Sequence, residues 1–369
     1  MTLLSLLFYS FVAVVALQVI YYSFYLIYFP SEKTSERKQH SIPVSVIVCA
    51  KNESENLKKL IPLLLEQDHP NFELVLINDD SFDDTLEIIE QFEARHANIK
   101  CVNVKSIDKF WGNKKYALTL GIKASKNDFL LFTDADCQPR SHRWISEMSS
   151  HFSNQKAIVL GYGAYRKKKG LLNALIRFET VLTAIQYFSY AKAGLTYMGV
   201  GRNLAYRKEL FFKHSGFMNH MELRSGDDDL FINEASDSKN TAICLSPEGF
   251  TESQPKTNFK SWFYQKRRHV STAKHYKGKH KCLLGLFYLS QVLFWVLGIA
   301  LVCTLYLWPV VLGLIGFRFI LQITTWALAS KRLKEKLLWV FAPILEPFLI
   351  AIQFCIFIAN LISKPLYWK

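Results

Sequence analysis

Paired cysteines are missing from this chain. Its seven cysteines are scattered and no Cys-x-x-Cys occurs, so neither a zinc site nor a disulfide framework is indicated. Internal repeats and low-complexity tracts are missing too, which sets aside a repeat array. Charge is missing from residues 3–29 altogether. Acid is missing from residues 256–281, which hold nine Lys or Arg. Over the whole chain 45 Lys and Arg outnumber 31 Asp and Glu, a formal charge of +14. That balance suits a protein lying on an anionic leaflet. Nucleic-acid binding is the competing reading, and the long apolar runs set it aside.

With 369 residues there is room for one large domain or two small ones. Residues 3–29 are long enough to cross a bilayer core as a helix. A signal peptide is the alternative, but no basic n-region precedes the run and no small-residue cleavage site follows it. Residues 283–329 carry Arg318 as their one charge, enough for two spans with a turn near Trp308-Pro309. The basic stretch Lys331 to Lys336 follows. Residues 337–363 are apolar again but contain Pro343, Glu346 and Pro347, so that last run is expected to be a span, kinked or partly re-entrant. The expected division is an N-terminal transmembrane helix (1–29), a catalytic domain (30–281) and a C-terminal membrane region of about three helices (282–369). Lys33, Arg37 and Lys38 border the first span, and Lys274, Lys277, Lys279 and Lys281 the second. Short loops rich in Lys and Arg stay cytoplasmic, so residues 30–281 are expected on the cytoplasmic face of the cell membrane.

Within those residues strands and helices alternate. Val44 to Ala50, Phe72 to Ile77, Ile99 to Val104 and the run ending Phe129-Leu130-Leu131-Phe132-Thr133 read as buried strands. Residues 55–66, with Ser54 as N-cap, 84–94 and 114–124 read as helices. This pattern predicts a parallel α/β sheet with right-handed crossovers, whose ligands bind beyond the carboxyl ends of the strands. Asn52-Glu53, Asp79-Asp80 and Asp134-Ala135-Asp136 all fall at such ends. Two carboxylates one residue apart suit a divalent cation bridging to a diphosphate, because hard Mg²⁺ or Mn²⁺ prefers carboxylate and phosphate oxygens. Downstream, Asp227-Asp228-Asp229 places three carboxylates side by side. Their repulsion raises at least one pKa, which suits a general base for a hydroxyl.

Taken jointly and in order, Val46 to Glu53, Asn78 to Thr85, Lys114 to Gly121, Thr133 to Asp136, Ser225 to Leu230 and Gln265 to His269 resemble the family 2 glycosyltransferases. The resemblance implies a GT-A fold, a Rossmann-like mixed sheet that binds a nucleotide-diphospho-sugar, here flanked by transmembrane helices. It implies Asp79, with Asp80 as its neighbouring alternative, and Glu53 at the nucleotide. Lys114 is implied at the diphosphate, Asp134 at the sugar or ribose, and Asp136 at the metal, Mg²⁺ or Mn²⁺. The base is Asp227 when aligned on Leu230 and Asp228 when aligned on the Gly-Asp-Asp form, with Asp229 left as a helix N-terminal acid. Gln265 and Arg268 match a Q-x-x-R-W motif at the acceptor or diphosphate. His269 replaces its tryptophan, which argues against a processive glucan-type reaction. Gly199 to Asn203 matches a small-residue stretch lining the acceptor side. Residues 171–190 read as core or as an interfacial helix touching lipid.

The expected activity is inverting transfer from a nucleotide-sugar donor, UDP-linked by preference, to a lipid or lipid-linked acceptor. A processive polysaccharide synthase acting on a glycan is the alternative, and a non-catalytic membrane scaffold or transporter subunit the reading from another class. Nucleic acid is not an expected partner.

Overall fold

The computed structural model describes residues 2–29, 42–105, 114–223 and 225–363; Lys33, Arg37 and Lys38 lie outside them. A long helix, α1 (Leu3–Tyr28), comes first. The alternating segment follows as β1 (Val44–Ala50), α2 (Ser54–Leu65), β2 (Phe72–Asp79), α3 (Thr85–Glu93), β3 (Ile99–Val104), α4 (Lys114–Ala124) and β4 (Phe129–Asp134). Next come β5 (Cys137–Pro139), α5 (Trp144–Ser149), β6 (Ile158–Leu160), β7 (Gly163–Tyr165), α6 (Leu171–Lys192), β8 (Leu204–Arg207), α7 (Lys208–Lys213) and α8 (Asp229–Ala235). The chain ends with β9 (Thr241–Ile243), β10 (Thr251–Ser253), α9 (Phe259–Val270), α10 (Gly278–Cys303), α11 (Trp308–Arg332) and α12 (Ala342–Ile362).

The main sheet runs β3-β2-β1-β4-β8-β6-β9. Its first four strands are parallel, as the alternation predicts. Strand β8 then pairs antiparallel with β4 and β6, so the sheet is mixed. Strands β5, β10 and β7 form a second, smaller sheet. Successive side chains on a strand point to opposite faces. Ile47, Val75, Ile77 and Phe132 therefore pack on one face with α4 and α6, and Val46, Val48, Leu74 and Leu76 on the other with α2 and α3. The register sets Asp134 opposite Cys49 and Asn78 opposite Ala50, which brings three strand ends to one edge.

One local expectation changes and one open alternative is decided. Ser54 is the first residue of α2 rather than its cap, and Glu53 occupies the cap position without a side-chain bond. Asp83 does that work from the next loop, accepting from Ser54 N at 3.1 Å and from Thr85 N at 3.1 Å. Residues 171–190, in turn, are core rather than a lipid-touching surface. Helix α6 is buried along most of its length. It is the seam between the sheet and the long helices: Phe178 stacks on Trp326 with centroids 4.2 Å apart, and Arg177 pairs with buried Glu335.

Helices α1, α10, α11 and α12 are each long and apolar enough to cross a membrane. Their outward faces are apolar, but polar groups meet between them. Arg318 donates to Glu346 at 2.6 Å and to Gln18 at 3.0 Å, while Tyr22, Gln291, Trp295 and Gln322 also donate to Glu346. A buried pair survives only when its remaining valences are met, and removing one partner alone costs about 3–5 kcal/mol. All four helices contribute to this network, so it fixes their packing.

Candidate active site

The loops after β1 and β2 form one unit. Asn52 and Asp80 adopt positive φ (56° and 52°), a conformation Asn and Asp tolerate better than most residues. Asn52 N donates to Ser81 Oγ at 3.0 Å, Phe82 N to Asn52 Oδ1 at 2.8 Å, and Glu53 N to Thr85 Oγ1 at 2.9 Å. With its turn built by others, Asp79 is left over. It is only 7 % exposed, and its carboxylate is given no donor by the described residues. Burial holds its carboxyl above the ordinary value, with Lys51 and Lys114 pulling the other way. Such a carboxylate is completed by water or by a ligand. Glu53 stands at the margin, accepting from Asn56 and raised by burial and by the charges of Asp136 and Asp134.

Lys114 opens α4 and reaches across the strand ends. Its Nζ lies 2.8 Å from Asp134 Oδ1 and 3.2 Å from Asp227 Oδ2. Lys115, pointing the other way, donates to His220 O at 2.6 Å and Leu223 O at 3.0 Å, and so ties down the loop that delivers Asp227. Gly226, at φ +96°, makes the final turn, a conformation open to glycine at no steric cost. Asp136 is exposed and accepts no hydrogen bond among the described residues.

The three adjacent aspartates have different surroundings. Burial raises the Asp227 carboxyl, but Lys114, its backbone and Lys115 outweigh this and hold it below its ordinary value. Asp228 caps α8: its Oδ1 accepts from Asp229 N at 2.7 Å and its Oδ2 from Gly201 N at 2.7 Å. Burial, then the charges of Asp227 and Asp229, push it up to about 7. Asp229 is held by Thr272 Oγ1 at 2.5 Å and Tyr276 OH at 2.6 Å, so its part is structural. These surroundings give a pH test. A carboxyl whose folded pKa is raised lets the folded state bind the extra proton, so stability falls as pH climbs from about 4 to about 7. Asp228→Asn keeps one of the two backbone bonds, as the protonated carboxyl does, and removes the charge. Its melting temperature should exceed that of the wild type by a few degrees at pH 8, with the gap closing toward pH 4 in a thermal scan.

Lys114, Asp134, Asp227, Asp228 and Gly201 line one narrow cleft that opens to solvent. Arg268, on α9, lies within electrostatic reach of Asp227, Asp134 and Asp228, while Ser225 Oγ donates to its backbone carbonyl at 3.4 Å. Gln265 is half-buried and His269 exposed on the same helix. Sequence reasoning gave no role to Arg202. It stacks on Tyr165 at 4.2 Å, donates to Gly163 O at 2.7 Å, and its charge acts on Asp136. The glycines around it, Gly199, Gly201 and Gly163, were the available signal.

Residues 45–214 match the family model described as Glycosyl transferase family 2. That segment is similar to the family 2 glycosyltransferases, and the mixed sheet around it has the GT-A fold. It is 27% identical over 173 residues to 4,4'-diaponeurosporenoate glycosyltransferase of Staphylococcus haemolyticus, covering 46% of this chain and 44% of that one. It is 29% identical over 146 residues to the poly-beta-1,6-N-acetyl-D-glucosamine synthase of Staphylococcus epidermidis, covering 39% and 34%. The chain thus spans less than half the length of these curated relatives. A mannosyltransferase from Pyrobaculum calidifontis, solved with GDP-Man and Mn2+, superposes with a TM-score of 0.62 at 17% identity, covering 95% of this chain and 98% of that one. At that identity the likeness is one of fold, and chemistry has to be argued from the site.

Proposed function

We propose that this protein is a membrane-anchored inverting glycosyltransferase that moves a sugar from a UDP-sugar to a lipid or lipid-linked hydroxyl at the cytoplasmic face. One observation carries the reading: Asp134 of the D-x-D pair and Asp227 of the acidic cluster contact the same Lys114 ammonium. A donor whose diphosphate meets Lys114 and whose sugar meets Asp134 therefore has its anomeric carbon within reach of Asp227.

Among the described residues no group of three or more His, Cys, Asp or Glu could hold a metal unaided. That suits Mg²⁺ or Mn²⁺, which take one or two carboxylates and complete their shell with water and substrate phosphates. Asp136, exposed and accepting no bond, fits as the protein ligand. A cation bound there supplies positive charge to the departing diphosphate. Asp79 takes a donor group from the nucleotide. Asp227 accepts the proton of the acceptor hydroxyl, whose oxygen bonds to the anomeric carbon on the face opposite the diphosphate. The bond from that carbon to the diphosphate oxygen breaks, and its electron pair leaves with UDP. Lys114 and Arg268 stabilise that charge. Asp228 serves as the cap that fixes Asp227.

The lipid acceptor is favoured by the four long apolar helices and by His269 at the motif's aromatic position. The cytoplasmic face is favoured by Lys274, Lys277, Lys279 and Lys281 at the start of α10. The test is to supply membranes containing the protein with UDP- and GDP-sugars and to analyse the lipids by mass spectrometry. A single added hexose from a UDP-sugar is expected, together with protection of the catalytic domain from protease added to intact cells. Polymer growth within one encounter, or cleavage without lysis, would overturn the respective part.

A further inference from the structure

The four long helices differ in direction, and directions can be read from their contacts. The catalytic domain marks the near end of three of them. Helix α1 ends at Tyr28, with Phe29 against Phe188. Helix α10 begins there, Lys277 N donating to Asn233 Oδ1 at 3.0 Å. Helix α11 finishes there, with Trp326 on Phe178 and Glu335 on Arg177. Side-chain contacts along α1 and α10 confirm the antiparallel pair: Tyr21 meets Phe287 and Phe11 meets Phe294.

Helix α12 follows α11 and, as a fourth span, would have to run antiparallel to it. It does not. Glu346 in its second turn lies with Arg318 and Gln322 of α11, whereas Gln353, two turns later, lines a cavity with Trp326 and with Phe178 of the catalytic domain. Residue numbers rise together along α11 and α12. Against α10 they run oppositely: Glu346 accepts from Trp295 at 3.1 Å, and Ile350 O from Tyr288 at 3.2 Å. The last turn of α12 then reaches α9. Arg267 donates to Ala359 O at 2.9 Å, to Ser363 O at 2.7 Å and to Asn360 Oδ1 at 3.0 Å, and Asn360 returns a bond to Arg267 O at 2.9 Å. A cation satisfying the final carbonyls of a helix is a standard C-terminal closure. Between α11 and α12 the chain turns through Leu337, Trp339, Val340 and Phe341, all exposed and apolar, a patch of the kind that marks a membrane or partner contact, and beside four membrane-length helices it suits lipid.

The geometry points to α12 being a re-entrant helix: the chain leaves the bilayer at Glu335, dips back through 337–341, and returns along α12 to the side it left. Its outward residues Ile344, Phe348, Phe354, Phe357 and Leu361 form a surface for the acyl chains of the leaflet beside the catalytic domain. The backbone at membrane depth is acceptable here because α12 is helical and its turn packs on protein through Leu338 and Ala342. Three crossings put residue 363 on the same side as the active site; four would put it opposite.

The inference rests on the membrane reading, and the test separates the two. In the full chain with all seven cysteines replaced by Ser or Ala, single cysteines are placed by Asn154→Cys in the catalytic domain, Leu305→Cys in the α10–α11 turn and Ser363→Cys after α12. A membrane-impermeant maleimide is applied to intact cells and to inverted vesicles. Ser363→Cys should label from the same side as Asn154→Cys and from the side opposite Leu305→Cys. Labelling of Ser363→Cys together with Leu305→Cys, opposite Asn154→Cys, would overturn the re-entrant helix. Labelling of all three from one side would overturn the membrane reading itself. Reporter fusions after Lys369, one active only inside the cell and one only outside, decide the same question without any substitution.

Discussion

Asp227→Asn is expected to lower kcat by about 10²-fold or more, the usual scale when a general base is lost. The amide keeps the shape of the side chain and one acceptor oxygen, so the turn after Gly226 should persist. What it loses is the capacity to take the proton. Donor affinity should hold or rise, because the proposed donor contacts at Asp79 and Lys114 remain and Lys114 is released from the Asp227 charge. Asp228→Asn should be milder in turnover, since an amide oxygen can still accept from one of the two backbone N–H groups. The measurement is steady-state transfer with UDP-sugar binding for both variants. Near-normal kcat for Asp227→Asn would exclude it as base. A loss confined to Asp228→Asn would move the role to that residue, whose raised carboxyl already favours proton capture.

The second large effect is expected at Asp136. Asp136→Ala should reduce metal-dependent transfer to background at saturating donor while leaving the melting temperature unchanged, because the exposed carboxylate supports no hydrogen bond in the fold. Chelation of divalent ions should reproduce the loss in the wild type, and added Mn²⁺ should restore only the wild type. Full turnover by a folded Asp136→Ala protein would place the cation elsewhere.

The parallel half of the sheet was legible because its strands are buried on both faces and read as continuous apolar runs, with turn residues at the carboxyl ends. Ser54 was misread because a local pattern cannot show that Asp83, 29 positions away, supplies the capping oxygen. The antiparallel β8 was hidden for a similar reason: four residues carry too little pattern to reveal their partner. Among the acidic residues, sequence located the Asp227–Asp229 cluster but not its division of labour. That division depends on Lys114, Gly201 and Thr272, which come from three other elements. The apolar length of α12 showed that it is long enough to cross a membrane. Its direction is set by Arg267 and Glu346, contacts that no periodicity encodes.

The Lys114 ammonium touches two carboxylates in the absence of substrate. It has three protons to donate and one position from which to donate them. On the proposed reading, a diphosphate arriving at Lys114 gives the lysine a stronger anion and weakens its hold on Asp227, which makes Asp227 more basic. The acceptor therefore meets a competent base only on an enzyme already carrying its donor. On that reading, initial-rate kinetics should be ordered, donor first and UDP last, with the waiting nucleotide-sugar shielded from activated water until the hydroxyl is in place.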